Sequence, residues 1–358
     1  MAFDETVFLT GFPGFIAGRL LKRLAQEDAR FLLLVQPQLL ERARRELEQL
    51  AHQTEKPLSN FRVLEGDITQ TNLGLSSTDL ELARSEAITV FHLAAIYDLA
   101  VAREIAMKVN VDGTRNVNDF ARTLPNLRRY NYISTCYVAG KRSGSILETE
   151  LRHNAGFRNF YEESKYLAEV EVDALKSELP ITIHRPSVVC GDSVTGETAK
   201  YDGVYYLIHY LRRWPSVLRL LNIGNHRVTL NLVPVDFVVE AMVTLANDES
   251  GVGKTFQIAD PNPLTTHELF NTIARCLTGR GSSITVPVSL VEPGLMLPFS
   301  PRISGLPHHG VPYFFLRQSY DTTQARELLE PRGVHCPSFP SYACTIVDYV
   351  NSHPVLPG

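Results

Sequence analysis

The first thirty-five residues constrain this chain most. Residues 6–10 (TVFLT) form a short, apolar, β-branched run, and the turn 11–14 (GFPG) breaks it. Residues 15–26 then carry Phe15, Ile16, Leu20, Leu21 and Leu24 at helical spacing, and residues 31–35 (FLLLV) are a second continuous apolar run. Strand, glycine turn, helix, strand is one βαβ unit, whose strands are expected to lie parallel with a right-handed crossover.

The alternation continues. Residues 39–51 read as a charged helix, 61–64 as a strand, 88–93 (ITVFHL) as a strand and 101–124 as a long helix. Residues 129–134 follow as a strand, 160–178 as a helix and 181–184 as a strand ending at Arg185-Pro186. This pattern predicts an α/β fold, a Rossmann-type doubly wound parallel sheet. After Arg185 the alternation fails and proline and glycine become denser, although 231–246 reads as a return to the sheet. The expected division is a nucleotide-binding domain, 1–185 with 228–260, and a smaller C-terminal substrate-binding cap, 186–227 with 261–358. A length of 358 residues with 44% hydrophobic content is enough for both.

A net charge of −4 gives no case for nucleic-acid binding. The five cysteines are scattered and form no C-x-x-C pair, so neither a disulfide framework nor a zinc ribbon is expected. His52, His92, His153 and His184 show no ligand spacing, and no metal is expected. There is no leader-like start and no spanning apolar run, so a cytoplasmic location is expected. Oligomeric state is not legible.

The turn Gly11, Phe12, Pro13, Gly14 leads into Phe15 and Ile16 at a helix start, where free N–H groups and the dipole's positive end suit a pyrophosphate. The same glycines would also serve an ordinary tight βα loop. Gln36 follows the second strand where an NAD-preferring site often has an acid. Gln36 does not repel a 2′-phosphate, and Arg42, Arg44 and Arg45 follow closely. NADPH is the preferred cofactor on this reading, with NADH open, and a solvated arginine face is the competing explanation.

Tyr161 and Lys165 are spaced i, i+4, so on a helix a phenol and an ammonium share one face. A nearby cation favours the phenolate, which would let Tyr161 exchange protons near neutral pH. Ser134 and Thr135 end the strand before this helix and offer hydroxyls to the same carbonyl oxygen. Asn110 is a polar residue inside the preceding long helix.

The segments TGFPGFIA, GDIT (66–69), VFHLAA (90–95), NVDGTRNV (110–117), ISTCYVAG (133–140), YEESK (161–165) and RPSVVCGD (185–192) resemble the motif series of an extended short-chain dehydrogenase/reductase. VPVDFV (233–238) extends the resemblance. The wording is nearest the acyl-thioester reductase branch, which includes fatty acyl-CoA reductases and carboxylic acid reductase domains. The resemblance implies that Thr135 holds the carbonyl, Tyr161 donates the proton, Lys165 binds the ribose and lowers the phenol's pKa, and Asn110 joins the lysine through water. Asp67 and Ile68 match the adenine contact. Leu93, Ala94 and Ala95 match the ribose wall, with Ser134 beside them. Pro186, Ser187 and Val188 match the loop near the nicotinamide. Tyr97, Cys136 and Tyr137 are the substrate-side candidates. Ala17 replaces the usual third glycine of the turn.

The implied reaction is hydride transfer to an acyl thioester or fatty aldehyde, delivered on CoA or a carrier protein. An alcohol or hydroxysteroid dehydrogenase would use the same residues. A nucleotide-sugar dehydratase would place acids after Thr135, where Cys136 and Tyr137 stand, and an epimerase holding NAD would usually carry an acid after Val35. The apolar stretches 207–221 and 286–299 suit an acyl tunnel, ordinary cap packing or peripheral membrane contact.

Overall fold

A continuous apolar run suits a strand covered on both faces, because successive side chains point to opposite sides of the sheet. The computed structural model describes residues 5–298, 308 and 310–356. In the strand Glu5–Thr10, Val7 and Leu9 enter one core and Phe8 the other. In the strand Ala29–Val35, Phe31, Leu33 and Val35 face the first core, and Leu32 and Leu34 the second.

Seven parallel strands form the central sheet, in the spatial order Phe61–Glu65, Ala29–Val35, Glu5–Thr10, Thr89–His92, Arg129–Ile133, Ile181–Pro186, Thr255–Ile258. The doubly wound sheet expected from the alternation is therefore present. Its order reverses between Glu5–Thr10 and Thr89–His92, and in such sheets the crevice at the carboxyl ends of those strands is the ligand site. Helices Phe15–Leu24 and Val235–Ala246 pack together on one face. Helices Gly113–Arg122 and Phe160–Ala174 contribute to the core on the other. A third core, built from Val204–Arg213, Thr266–Thr278 and Phe339–Ser352, fills the cap.

Three features differ from the sequence expectations. The long helix is interrupted: a π-turn over Met107–Asp112 separates Arg103–Ala106 from Gly113–Arg122. The short helix Thr323–Leu329 buries Ala325 and Leu329 in the first sheet core rather than in the cap. Cys276 and Cys344 form a disulfide between two cap helices, with Cα atoms 5.0 Å apart, a single bridge where no disulfide framework was expected. Their 68-residue separation carries no local signal, since only the packing of Thr266–Thr278 on Phe339–Ser352 brings them together.

Glu148 ties that short helix to the sheet edge. Its carboxylate is buried and accepts from the backbone N–H groups of Gln257 (2.9 Å), Gln324 (2.6 Å) and Ala325 (3.2 Å). Burial pushes its pKa up to about 7 against those bonds. Among the described residues, no helix is long and apolar enough to cross a membrane. Phe299, the last residue of the apolar stretch 286–299, lies outside the described residues.

Candidate active site

The glycine turn closes against the neighbouring strand end. Gly11 has φ +96°, and a Cβ there would come within 2.9 Å of the Ala94 backbone nitrogen. At Gly14 a Cβ would meet the Gly11 carbonyl oxygen at 2.6 Å. Helix Phe15–Leu24 starts at Gly14 with no side-chain cap and no acid in its first turn, which leaves its amide end to an anion. Thr10 fixes the wall opposite: its hydroxyl accepts from Ala94 N (3.1 Å) and shares a 2.8 Å hydrogen bond with His92 Nδ1. Burial holds His92 near pKa 3, so the ring is a neutral strut between Thr10 and Thr114. Gly113 packs on Ile68, where a Cβ would meet Cδ1 at 2.7 Å. These close approaches fit a dinucleotide. Gly11→Ala is expected to lower cofactor affinity by about tenfold or more, from left-handed strain and closure of the cradle, as read by titration calorimetry.

On the adenosine side, Gln36 donates to Asp67 Oδ2 (3.1 Å), and Asp67 Oδ1 accepts from Thr69 N (2.8 Å). The arginines separate. Arg42 reaches back to the Pro13 carbonyl (3.1 Å), whereas Arg44 pairs with Glu41 on the outer face. Two residues apart on a helix is about 200° of rotation, so only one of the pair can face the turn.

The remaining candidates converge at the carboxyl end of the strand Arg129–Ile133. Tyr161 is buried one turn before Lys165 on the helix Phe160–Ala174, which Asn159 caps by accepting from Glu162 N (2.9 Å). The Lys165 ammonium donates to the Ile133 carbonyl (2.8 Å) and the Tyr132 hydroxyl (3.0 Å). Burial pushes its pKa down to about 8, with the Glu169 carboxylate opposing.

Tyr161 differs from the expectation. Burial pushes its phenol up rather than down, with the neighbouring Thr135 opposing this, while the Lys165 ammonium is held on the Ile133 carbonyl and the Tyr132 hydroxyl. The phenol is thus the protonated form at neutral pH, as a proton donor requires. Thr135 also accepts from Tyr137 N (3.2 Å), and Tyr97 meets the Tyr161 ring edge-on with centroids 5.1 Å apart.

Asn110 lies within the π-turn, whose extra residue re-aims the side chain. It accepts from Ile96 N (2.8 Å) and donates to Ser164 Oγ (2.9 Å), so it braces the Tyr97 loop against the tyrosine helix. Ser134 is committed elsewhere, donating to Glu169. The Cys136 thiol donates to the Arg185 carbonyl (3.1 Å), and burial raises its pKa, which leaves no thiolate. Ser187 donates to Asn231 (2.7 Å), and Val188 and Tyr137 line the cleft beside Tyr97.

Two groups escaped the sequence reading. Glu169, fully buried, binds Arg185 (Nε–Oε1 2.8 Å) as well as Ser134. Its only sequence signal is its place four residues after Lys165, which continues one helix face. Tyr313 enters from the cap: its hydroxyl donates to Glu162 (2.6 Å) and accepts from Asn159 (2.7 Å), and its ring lies 4.6 Å from that of Tyr137.

The family model described as Male sterility protein, an NAD-binding family, matches residues 9–242. Glycine betaine reductase ATRR of Emericella nidulans is 26% identical over 74% of this chain and 22% of its own length. Fatty acyl-CoA reductase wat of Drosophila melanogaster is 25% identical over 68% of this chain and 54% of its own. The chain thus spans only part of these relatives. The crystal structure of the terminal R domain from the myxalamid PKS-NRPS biosynthetic pathway superposes with a TM-score of 0.82 at 25% identity, covering 98% of this chain and 92% of that one. The chain belongs to the Male sterility protein family, and its nicotinamide-dinucleotide domain is of the extended short-chain dehydrogenase/reductase type, among relatives named as reductases.

Proposed function

We propose that this chain reduces the carbonyl of an acyl thioester, or of an aldehyde on an apolar acyl group, with Tyr161 as proton donor. The carrying observation is the placement of a buried Tyr161 one turn before Lys165, whose ammonium is held on the Ile133 carbonyl at the strand end that leads to Thr135. The chemistry a nicotinamide dinucleotide would supply there, when bound, is a hydride for the carbonyl carbon. Thr135 and Tyr161 hold the carbonyl oxygen, and Tyr161 delivers the proton as charge builds there. Lys165 presents a cation beside the strand end, and Asn110 keeps the helix and the Tyr97 loop in register.

The cleft next to Tyr97 supports an apolar substrate. It holds about 580 Å³ counting its open mouth; Tyr137, Val188, Leu230 and Phe314 form apolar walls, and Asp98, Lys200 and Asp202 border it as well. CoA or a carrier protein would deliver the acyl group, in keeping with relatives named as acyl-CoA reductases and peptide synthetases.

NADPH is the proposed reductant, with Arg42 rather than Arg44 the cation nearest the turn. The test is oxidation of NADPH and NADH with acyl-CoA, fatty aldehyde and simple ketones. Acyl-CoA or aldehyde turnover is expected, and Arg42→Ala should lower the NADPH-over-NADH preference in kcat/KM by about tenfold or more. No oxidation on any of these substrates would remove the proposal.

A further inference from the structure

We infer that the tip of the cap is a docking surface for an anionic lipid bilayer, with Trp214 as its anchor. The inference stands apart from the reductase reading, because it concerns a surface beyond the cleft and is read without substrate. Two separate segments build this tip. The helix Val204–Arg213 ends in Arg212 and Arg213, and Trp214 and Val217 follow at the turn Pro215–Leu218. That turn packs beside the short strand Leu221–Asn222, which pairs in parallel with Ile284–Thr285. Leu221 and Ile284 are register partners, so their side chains stand next to each other on one side. Arg219 also joins the two segments, donating to the Gly281 carbonyl (3.0 Å) beside Arg280.

The apolar groups of the tip point into water. Trp214 is 71% exposed, Val217 61% and Ile284 60%, and Leu220 and Leu221 are exposed with them. Single exposed apolar side chains are ordinary on a protein surface, but such a group on two adjoining segments marks a contact site. The cleft lies on the same helix: Tyr206 borders it, and from Tyr206 to Arg213 the helix rises about 10 Å. A bilayer held at Trp214 is therefore close to the cleft.

The charge pattern selects the occupant. In a chain of net charge −4, residues 203–235 contain no Asp or Glu and carry Arg212, Arg213, Arg219 and Arg227. Residues 269–291 likewise contain no acid and carry Arg275 and Arg280. Both segments thus bring guanidiniums to the apolar group, and neither brings a carboxylate. Guanidiniums pair with phosphate oxygens, and an indole settles where headgroups meet acyl chains. Anionic lipid adds a surface potential that draws such a cluster in. The apolar side chains project from a turn and a strand end. A fluid lipid surface receives projecting groups without the complementary pocket that a protein partner would need.

The test uses the full chain and vesicles of phosphatidylcholine, alone or in equal parts with phosphatidylglycerol. Co-sedimentation should show binding about tenfold or more tighter to the anionic vesicles at low salt, and weaker as salt is raised. Trp214 is the only tryptophan in the chain, so its emission should move to shorter wavelength on binding and be quenched by lipids brominated along the acyl chain. Arg212→Glu combined with Arg280→Glu should lose about tenfold or more of the anionic affinity, and Trp214→Ala should also bind more weakly. Cooperative melting like the parent's reports that these variants are folded. No binding, equal binding to both vesicles, or anionic binding that leaves the Trp214 emission unmoved overturns the inference. So does an emission shift that follows protein concentration without lipid, which marks a second copy of this chain on the tip. A shift produced by an acidic carrier protein and not by vesicles overturns it as well. Acyl-CoA and aldehyde turnover is measured apart from these readouts, so the loss of either reading leaves the other standing.

Discussion

Replacing Tyr161 by phenylalanine should lower kcat about 10²–10⁴-fold, the usual contribution of a positioned general acid, while cofactor affinity stays within about threefold. The ring remains to fill its place against Tyr97, so the loss isolates the hydroxyl. The pH profile adds a second check. Burial keeps the phenol protonated across the neutral range, so Tyr161 itself sets no alkaline limit there. Lys165 does, because its pKa is pushed down to about 8. The kcat/KM for the cofactor, which reports the free protein, should fall as pH rises through about 8 in the parent and lose that limb in Lys165→Met. A Tyr161→Phe protein that keeps most of its kcat would show that the proton comes from elsewhere.

The frame of this molecule was legible because its signals are local. Val7, Phe8 and Leu9 occupy opposite faces of a strand through the period of the backbone alone, and Gly11 marks a turn that a Cβ would block. Tyr161 and Lys165 needed only helical spacing to share a face. The parts that sequence did not reveal depend on packing between distant segments. Whether Arg42 or Arg44 faces the turn is decided by the helix's rotation about its axis. Tyr313 reaches Glu162 across 151 residues, and Cys276 reaches Cys344 across 68. The direction of the Tyr161 shift depends on packing in the same way. Adjacency to Lys165 is visible in the spacing, but the burial that raises the Tyr161 pKa, and the Ile133 carbonyl that holds the ammonium, are not.

The buried pair of Glu169 and Arg185 should be the most sensitive structural point near the site. Glu169 lies one turn after Lys165 and joins three elements: its own helix, Ser134 at one strand end and Arg185 at the next. Arg185 is almost fully buried and spends a further N–H on the Glu150 carbonyl (2.9 Å). Glu169→Leu strands that guanidinium without its carboxylate and is expected to cost about 3–5 kcal/mol in chemical denaturation. The double variant Glu169→Leu with Arg185→Leu removes both charges and should be less destabilised than the sum of the singles, which is how a desolvated pair behaves when neither member is left alone. The pair also acts on Lys165, since the Glu169 carboxylate holds the lysine pKa up against burial. Lys165 titrates lower folded than unfolded, so the unfolded chain binds more protons between about 8 and the usual lysine value, and parent stability from this group rises with pH across that window. Without Glu169 the folded pKa drops further. The rise should then begin at lower pH, and the alkaline limb of kcat/KM for the cofactor should move down with it. A Glu169→Gln protein with unchanged stability and an unmoved limb would mean that the carboxylate neither supports Arg185 nor reaches Lys165.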